Sequence, residues 1–244
     1  MPVLLEVCVD SVDGLEAAIA GGADRIELCS ALDLGGLTPT PGLIAAAARA
    51  PIPVYAMIRP HARSFVWTAA DVAAMLAEID AVRAAGLAGV VLGAALPDGA
   101  LDVALLETLR ARAKGLGATL HRVFDLVPDF KRALETAIAL GFERVLTSGG
   151  AARAEDGLAT LRALEQQAAA RIGIMPGSGV SADNVARIVR ELGAKEIHAS
   201  CRETRAHDDA KGVELGFFAA RQGITSASAV RAIKRALATL EQAD

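Results

Sequence analysis

Aromatic side chains are scarce in this 244-residue chain: one Trp, one Tyr and six Phe amount to 3% of it. Its core must therefore be built from aliphatic and small residues, and the abundant alanine points to helices packed closely through small side chains. Cysteine is rare as well. Cys8, Cys29 and Cys201 do not form a disulfide framework of the secreted kind, so reduced thiols are expected. There is no surplus of positive charge: Lys+Arg number 25 against 29 Asp+Glu, a net charge of -4, and no basic run stands out. That balance gives no reason to expect nucleic acid or an anionic membrane as a partner and leaves small ligands. The longest apolar run, near Gly86 to Leu96, is too short to cross a bilayer. Met1-Pro2 leads directly into a strand-like run without the basic region and long apolar core of a secretory signal, so a cytoplasmic location is expected.

What is present is a repeated unit. Leu5-Glu6-Val7-Cys8 is echoed by Ile26-Glu27-Leu28-Cys29. A strand sends alternate side chains to opposite faces, so Glu6 and Cys8 share one face, as do Glu27 and Cys29. Between the copies, Ser11 to Gly22 begins on a helix-capping serine and ends on glycines that favour a left-handed stop. A right-handed crossover then sets the second strand beside the first. Two carboxylates and two sulfurs are thereby brought toward one interior.

The pattern continues through Val54–Arg59, Gly89–Gly93, Thr119–Val123, Arg144–Thr147, Ile172–Met175 and Glu196–Ala199 as strands three to eight. Helices are expected at Asp71–Ala85, Val103–Lys114, about Asp129–Leu140, about Glu155–Gln167 and from Ser181 to Gly193. A long polar segment at about 201–226 precedes a final helix to about Leu240. Eight such repeats without a linker-like tract favour one domain over 1–244, an α/β fold of the single (β/α)8 TIM-barrel type.

In such a barrel chemistry sits at the carboxyl ends of the strands. Those ends are polar here, and the opposite rim is expected to hold no comparable set. Carboxylates inside a barrel need partners or take up a proton, so Glu6 and Glu27 call for Arg59, Arg122 or Arg25 nearby. His121 is placed to be a general base or a ligand, Asp125 to orient it or cap a helix, and His198 has a weaker claim. Cys8 and Cys29, on strands about 4.8 Å apart, are candidate ligands for one soft ion, or buried small hydrophobes. Pro176 to Ser181, with Gly177, Ser178 and Gly179, has the composition of a phosphate cradle leading into a helix, and Ser148 is placed to add donors.

Together, Leu5-Glu6-Val7-Cys8, Gly22-Ala23-Asp24-Arg25-Ile26-Glu27-Leu28-Cys29, Gly35-Gly36-Leu37-Thr38-Pro39, Ile58-Arg59-Pro60, His121-Arg122-Val123-Phe124-Asp125, Arg144 to Gly149 and Met175 to Gly179 resemble the CutC family of copper homeostasis proteins. The resemblance implies a TIM barrel, a cytosolic location, a homodimer, and Cu(I) bound by Cys8 and Cys29. Two stretches depart from the family: His61-Ala62-Arg63-Ser64-Phe65 replaces its usual Arg-Gly-Gly-Asp-Phe, and the segment after Cys201 matches poorly. Three functions are open at this point. One is Cu(I) binding through the two cysteines. Another is an enzyme acting on a small polar or phosphorylated metabolite, with Glu6 or Glu27 and His121 as acid and base and Arg59 as anion clamp. The third is a barrel whose site is vestigial.

Overall fold

The structure, a computed structural model, describes residues 2–241. Its centre is an eight-stranded parallel sheet: β1 (Leu4–Val9), β2 (Arg25–Leu28), β3 (Val54–Met57), β4 (Gly89–Leu92), β5 (Gly117–Leu120), β6 (Arg144–Thr147), β7 (Gly173–Pro176) and β8 (Glu196–Ala199). The order runs β7-β6-β5-β4-β3-β2-β1-β8, and β7 lies against β8, which closes the sheet into a (β/α)8 barrel. Around it lie α1 (Val12–Gly21), α2 (Pro41–Ala47), α3 (Ala69–Ala84), α4 (Val103–Arg112), α5 (Phe130–Ala139), α6 (Leu158–Ala168) and α7 (Val185–Leu192). The local signals are in place. The Ser11 hydroxyl accepts from the Gly14 amide to start α1, Gly22 at φ 93° ends it, and Thr68 and Asp71 form a reciprocal cap on α3.

Strand alternation sorts the side chains into two layers. Leu5, Val7, Ile26, Leu28, Val90, Leu92 and Ile197 join the helices in the outer apolar core. The inner face carries Cys29, Tyr55, Met57 and Val91 as a small separate cluster, together with buried Glu6, Arg25, Glu27, Arg144 and His198. The twin Glu-x-Cys segments are thus adjacent staves: Cys8 pairs in register with Glu27, and Glu6 with Arg25 on one side and His198 on the other.

The amino-terminal end of the barrel overturns the expectation of a featureless rim. Arg25 binds Glu6 and Glu196, and Arg144 binds Glu196 and Glu143. The Tyr55 ring lies beneath both guanidinium groups, 5.5 Å from Arg25 and 4.9 Å from Arg144, and its hydroxyl donates to Glu143. The ring has room because β4 and β5 begin on glycine: a Cβ on Gly117 would lie 2.2 Å from the Tyr55 hydroxyl. Ionic pairs around one aromatic ring therefore form the floor.

Several boundaries differ from expectation. β3 stops at Met57 and β5 at Leu120, so Arg59, His121 and Arg122 stand just past their strands. The helix α7 begins at Val185 rather than Ser181, because Ser181–Asn184 forms a turn in which the Asn184 side chain accepts from the Ser181 amide. The polar segment after Cys201 is a hairpin, β9 (Arg202–Ala206) and β10 (Arg221–Thr225), enclosing α8 (Ala210–Glu214) and followed by α9 (Ala227–Glu241). Among the described residues no helix is long and apolar enough to cross a membrane.

The floor makes a specific prediction. Gly117→Ala should lower unfolding free energy by about 1–3 kcal/mol through overpacking against Tyr55. In a Tyr55→Leu background the same substitution should cost less than half as much, because the two Tyr55 atoms it strikes are gone and Glu143 Oε2, 2.7 Å away, loses the hydroxyl that holds it there. Urea denaturation of the four proteins checks this, and equal costs in both backgrounds would contradict the packing described.

Candidate functional site

A cavity of about 380 Å³ opens at the carboxyl ends of the strands, within the size range of small-ligand sites. One wall comes from β1, β2 and β8. Cys8, Glu27 and His198, all buried, place a sulfur, a carboxylate oxygen and a ring nitrogen within 4.8 Å of one another. His198 Nδ1 lies 2.8 Å from Glu6 Oε1, and its Nε2 lies 3.8 Å from Glu27 Oε2. Glu6 sits behind this group, fully buried, accepting from Arg25 as well as His198. Burial alone would raise its carboxyl, but the His198 hydrogen bond and the Arg25 charge outweigh that and hold it down to about 2. Burial by itself would lower His198, yet Glu27, Cys8 and Glu6 raise it well above its ordinary value, so it is held as imidazolium. Glu27 is raised by burial and by the neighbouring Glu6, with His198 opposing, and its Oε1 is buried with no partner among the described residues.

The wall beyond β2 is built from residues just past β3 and β5. Arg59, 7% exposed, has no acidic partner among the described residues: its Nη1 donates to the carbonyls of Leu34 and Gly36, and its Nε is buried and unpaired. The Phe65 ring lies 4.8 Å from this guanidinium and 5.0 Å from the His121 ring, so the loop that departs from the family pattern still supplies a packing surface between them. His121 Nδ1 accepts from the Val123 amide at 3.1 Å, which assigns the proton to Nε2, and Nε2 is buried without a partner among the described residues. Burial, with Arg59 nearby, pushes His121 down to about 3. It is a neutral N–H donor at ordinary pH and does not offer the lone pair a general base needs.

The sequence-predicted residues thus separate. Glu27, Arg59, His121 and Cys8 line the cavity together with Ser178 and Gly179, joined by His198, Phe65 and Arg202. Glu6 does not line it and instead holds His198 and Arg25. Cys29 stands outside the Cys8–Glu27–His198 group: its thiol donates to Glu27 Oε2 at 3.6 Å, and burial followed by the Glu27 charge raises it well above its usual value. Asp125 is not on the cavity wall either. Its carboxylate accepts from the amides of Ser148 and Gly150 and from the Thr147 and Ser148 hydroxyls, so the Ser148 donors expected for phosphate are already occupied. Arg122 pairs with this same Asp125 rather than with a glutamate of the barrel interior. Arg202 was invisible beforehand because its place depends on the β9 hairpin, which brings it to Asp33 after β2.

A closed βα barrel with a polar cavity at its strand carboxyl ends is a TIM barrel. A model of the CutC family matches residues 3–203, and this chain belongs to that family. It is 56% identical over 233 residues to a CutC family protein from Rhizobium meliloti, covering 96% of this chain and 95% of the relative. It is 60% identical over 198 residues to one from Caulobacter vibrioides, 81% of each. The solved structure of the CutC protein from Streptococcus agalactiae, described as a copper homeostasis protein, superimposes with a TM-score of 0.78 at 31% identity, covering 81% of this chain and 98% of that one. Phosphoribosylanthranilate isomerase from Pyrococcus furiosus shares the fold alone, with a TM-score of 0.61 at 14% identity, covering 97% of this chain and 99% of that one.

Glu6 and His198 give stability opposite pH dependences. A carboxyl whose folded value is depressed stabilises above its unfolded value of 4.5 and loses that contribution as pH falls toward 2. An imidazole whose folded value is raised stabilises fully below 6.5 and loses its contribution as pH rises through the folded value. Glu6→Gln should therefore flatten the acid limb between pH 5 and 2 and cost about 3–5 kcal/mol at neutral pH by leaving Arg25 and His198 without their shared anion. Urea midpoints measured from pH 2 to 9 check both effects.

Proposed function

We propose that the protein is an enzyme that moves a proton on a carbon adjacent to a carbonyl group in a small anionic metabolite. The observation that carries this is a set of buried polar atoms with no partner among the described residues, on four residues of one cavity: the acceptor Glu27 Oε1 and the donors His121 Nε2, Arg59 Nε and Arg202 Nε. Each unmet group costs about 1–3 kcal/mol; a ligand with an acidic end and a carbonyl supplies acceptors for the Arg59 and His121 donors and leaves Glu27 Oε1 facing the C–H beside the carbonyl. Arg59 anchors the carboxylate. Glu27 takes the proton from carbon, and its raised value brings a carboxylate closer to the strength that a base at neutral pH needs. The electron pair of the broken C–H bond passes to the carbonyl oxygen, where the His121 N–H is positioned to stabilise it. Return of the proton from Glu27 to carbon completes the cycle. Imidazolium His198, beside Glu27, keeps the carboxylate available in its ionised form.

A second reading is favoured by the Cys8–Glu27–His198 group. Copper as cargo would meet a soft thiolate and the imidazole Nε2, with Glu6 holding the other ring nitrogen as outer carboxylates do for metal-binding histidines. Glu27 is the poorest match, since Cu(I) favours sulfur and nitrogen over a hard oxygen. Such uptake requires His198 to release a proton, so it weakens as pH falls. The reading includes a cytosolic location and a homodimer. Leu215, Phe217 and Phe218, exposed on the segment between β9 and β10, support an interface there.

Deuterium exchange separates the two readings. In D2O the protein should wash out the C–H signal next to the carbonyl of a member of a 2-oxo acid and hydroxy-carbonyl acid panel. Glu27→Gln should slow exchange by about 10²–10⁴-fold and His121→Leu by about 10²–10³-fold. Absence of exchange across the panel would remove the enzymatic reading. For copper, Cys8→Ala or His198→Ala should abolish Cu(I) capture under reducing conditions while Cys29→Ala retains it, and capture by the Cys8→Ala protein would remove that reading.

A further inference from the structure

The edge of the cavity opposite Arg59 has a different character. In a ring of eight strands ordered as here, β3 and β7 stand four positions apart in either direction, so the loop after β7 faces Arg59 across the barrel. Ser178, Gly179 and Val180 of that loop line the cavity. Their amide N–H groups have no acceptor among the described residues, whereas the flanking Gly177 and Ser181 amides are bound to Thr147 O and Asn184 Oδ1. Ser178 and Gly179 both have positive φ, 79° and 69°. The Ser178 conformation is fixed from outside the cavity: its hydroxyl donates to Ala152 O and its carbonyl accepts from Ala154 N.

The neighbouring loop after β6 provides an internal comparison. There the amides of Ser148 and Gly150 are likewise turned toward one point, and the chain fills that point with the Asp125 carboxylate. After β7 no carboxylate is supplied. Glu27, on the far wall, is the sole acidic residue lining the cavity among the described residues, so nothing within it competes for an anion on the β7 side. Arg59 and His121, both more than nine-tenths buried, retain a donor with no partner among the described residues in the same cavity.

We infer that the ligand carries two anionic groups, a carboxylate held by Arg59 and a phosphoryl group held by the Ser178, Gly179 and Val180 amides, with the reacting carbon between them near Glu27. This rests on the enzymatic reading of the cavity and names its substrate class: phosphorylated hydroxy or oxo acids. Sequence pointed to Gly177 and Ser148 as parts of the cradle, but both have spent their amides within the fold, so the binding segment lies one residue further along.

Calorimetric titration of the full chain with phosphoglycolate, 3-phosphoglycerate and 4-phosphoerythronate, beside glycolate, glycerate, erythronate and inorganic phosphate, tests the inference. At least one two-ended compound should bind about tenfold or more tightly than both its phosphate-free parent and inorganic phosphate, as joined groups do when both ends engage. Gly179→Ala, whose Cβ would lie 3.0 Å from Arg153 Nε on a left-handed backbone, should remove that advantage while leaving binding of the phosphate-free acid intact, which also verifies folding. Arg59→Gln should weaken the acids and spare inorganic phosphate. If the acids bind through Arg59 but phosphorylation adds nothing, the second pole is overturned and the enzymatic reading survives. Loss of phosphate binding in Arg59→Gln also overturns the second pole, and binding of no compound overturns both.

Discussion

The Glu6 carboxylate, without solvent exposure and gripped by Arg25 and His198, is the contact on which the interior depends. A charge removed from water is tolerable only when its hydrogen-bonding capacity is filled, and here the two cations that fill it belong to different functional levels of the barrel. Arg25 reaches down to Glu196 and the ring of Tyr55; His198 reaches up to Glu27 and Cys8. One anion thereby joins the ionic floor to the wall of the cavity and couples the geometry of β1, β2 and β8. The Glu6 hydrogen bond adds to the larger effects of Glu27 and Cys8 in raising His198, while the Glu6 charge, with burial, raises Glu27.

The stretch of wall carrying Arg59 and His121 works by omission. Arg59 receives carbonyl oxygens and an aromatic face in place of a counter-charge, and His121 spends its acceptor nitrogen on the Val123 amide so that only a donor remains. These are local choices of backbone geometry just beyond the ends of β3 and β5. They leave a cation and a neutral N–H donor lining the same small-molecule-sized space as a carboxylate. Such polarity is complementary to an anion with a polarisable oxygen.

The barrel was legible in the sequence because the two relevant periods, alternation along strands and glycine-terminated helices, are properties of consecutive residues. The inward aim of Glu6 and Glu27 and the placement of Arg59 and His121 near the mouth followed from the same alternation. Pairing across the barrel was not legible. Cys29 shares its strand face with Glu27, as alternation requires, yet the partner of Cys8 is Glu27 through the strand register and His198 through β8, and no local pattern specifies that meeting. The occupancy of the Ser148 amides by Asp125, 23 residues earlier, is hidden for the same reason. Arg202 depends on a hairpin whose strands, Arg-Glu-Thr-Arg-Ala and Arg-Gln-Gly-Ile-Thr, are too polar to announce themselves.

The tyrosine lodged between two arginines at the base also governs traffic. Because β4 and β5 forgo side chains there to admit the ring, that end of the barrel is a stopper rather than a second doorway. Whatever occupies the chamber must leave by the route it came in, so arrival and departure exclude each other in time.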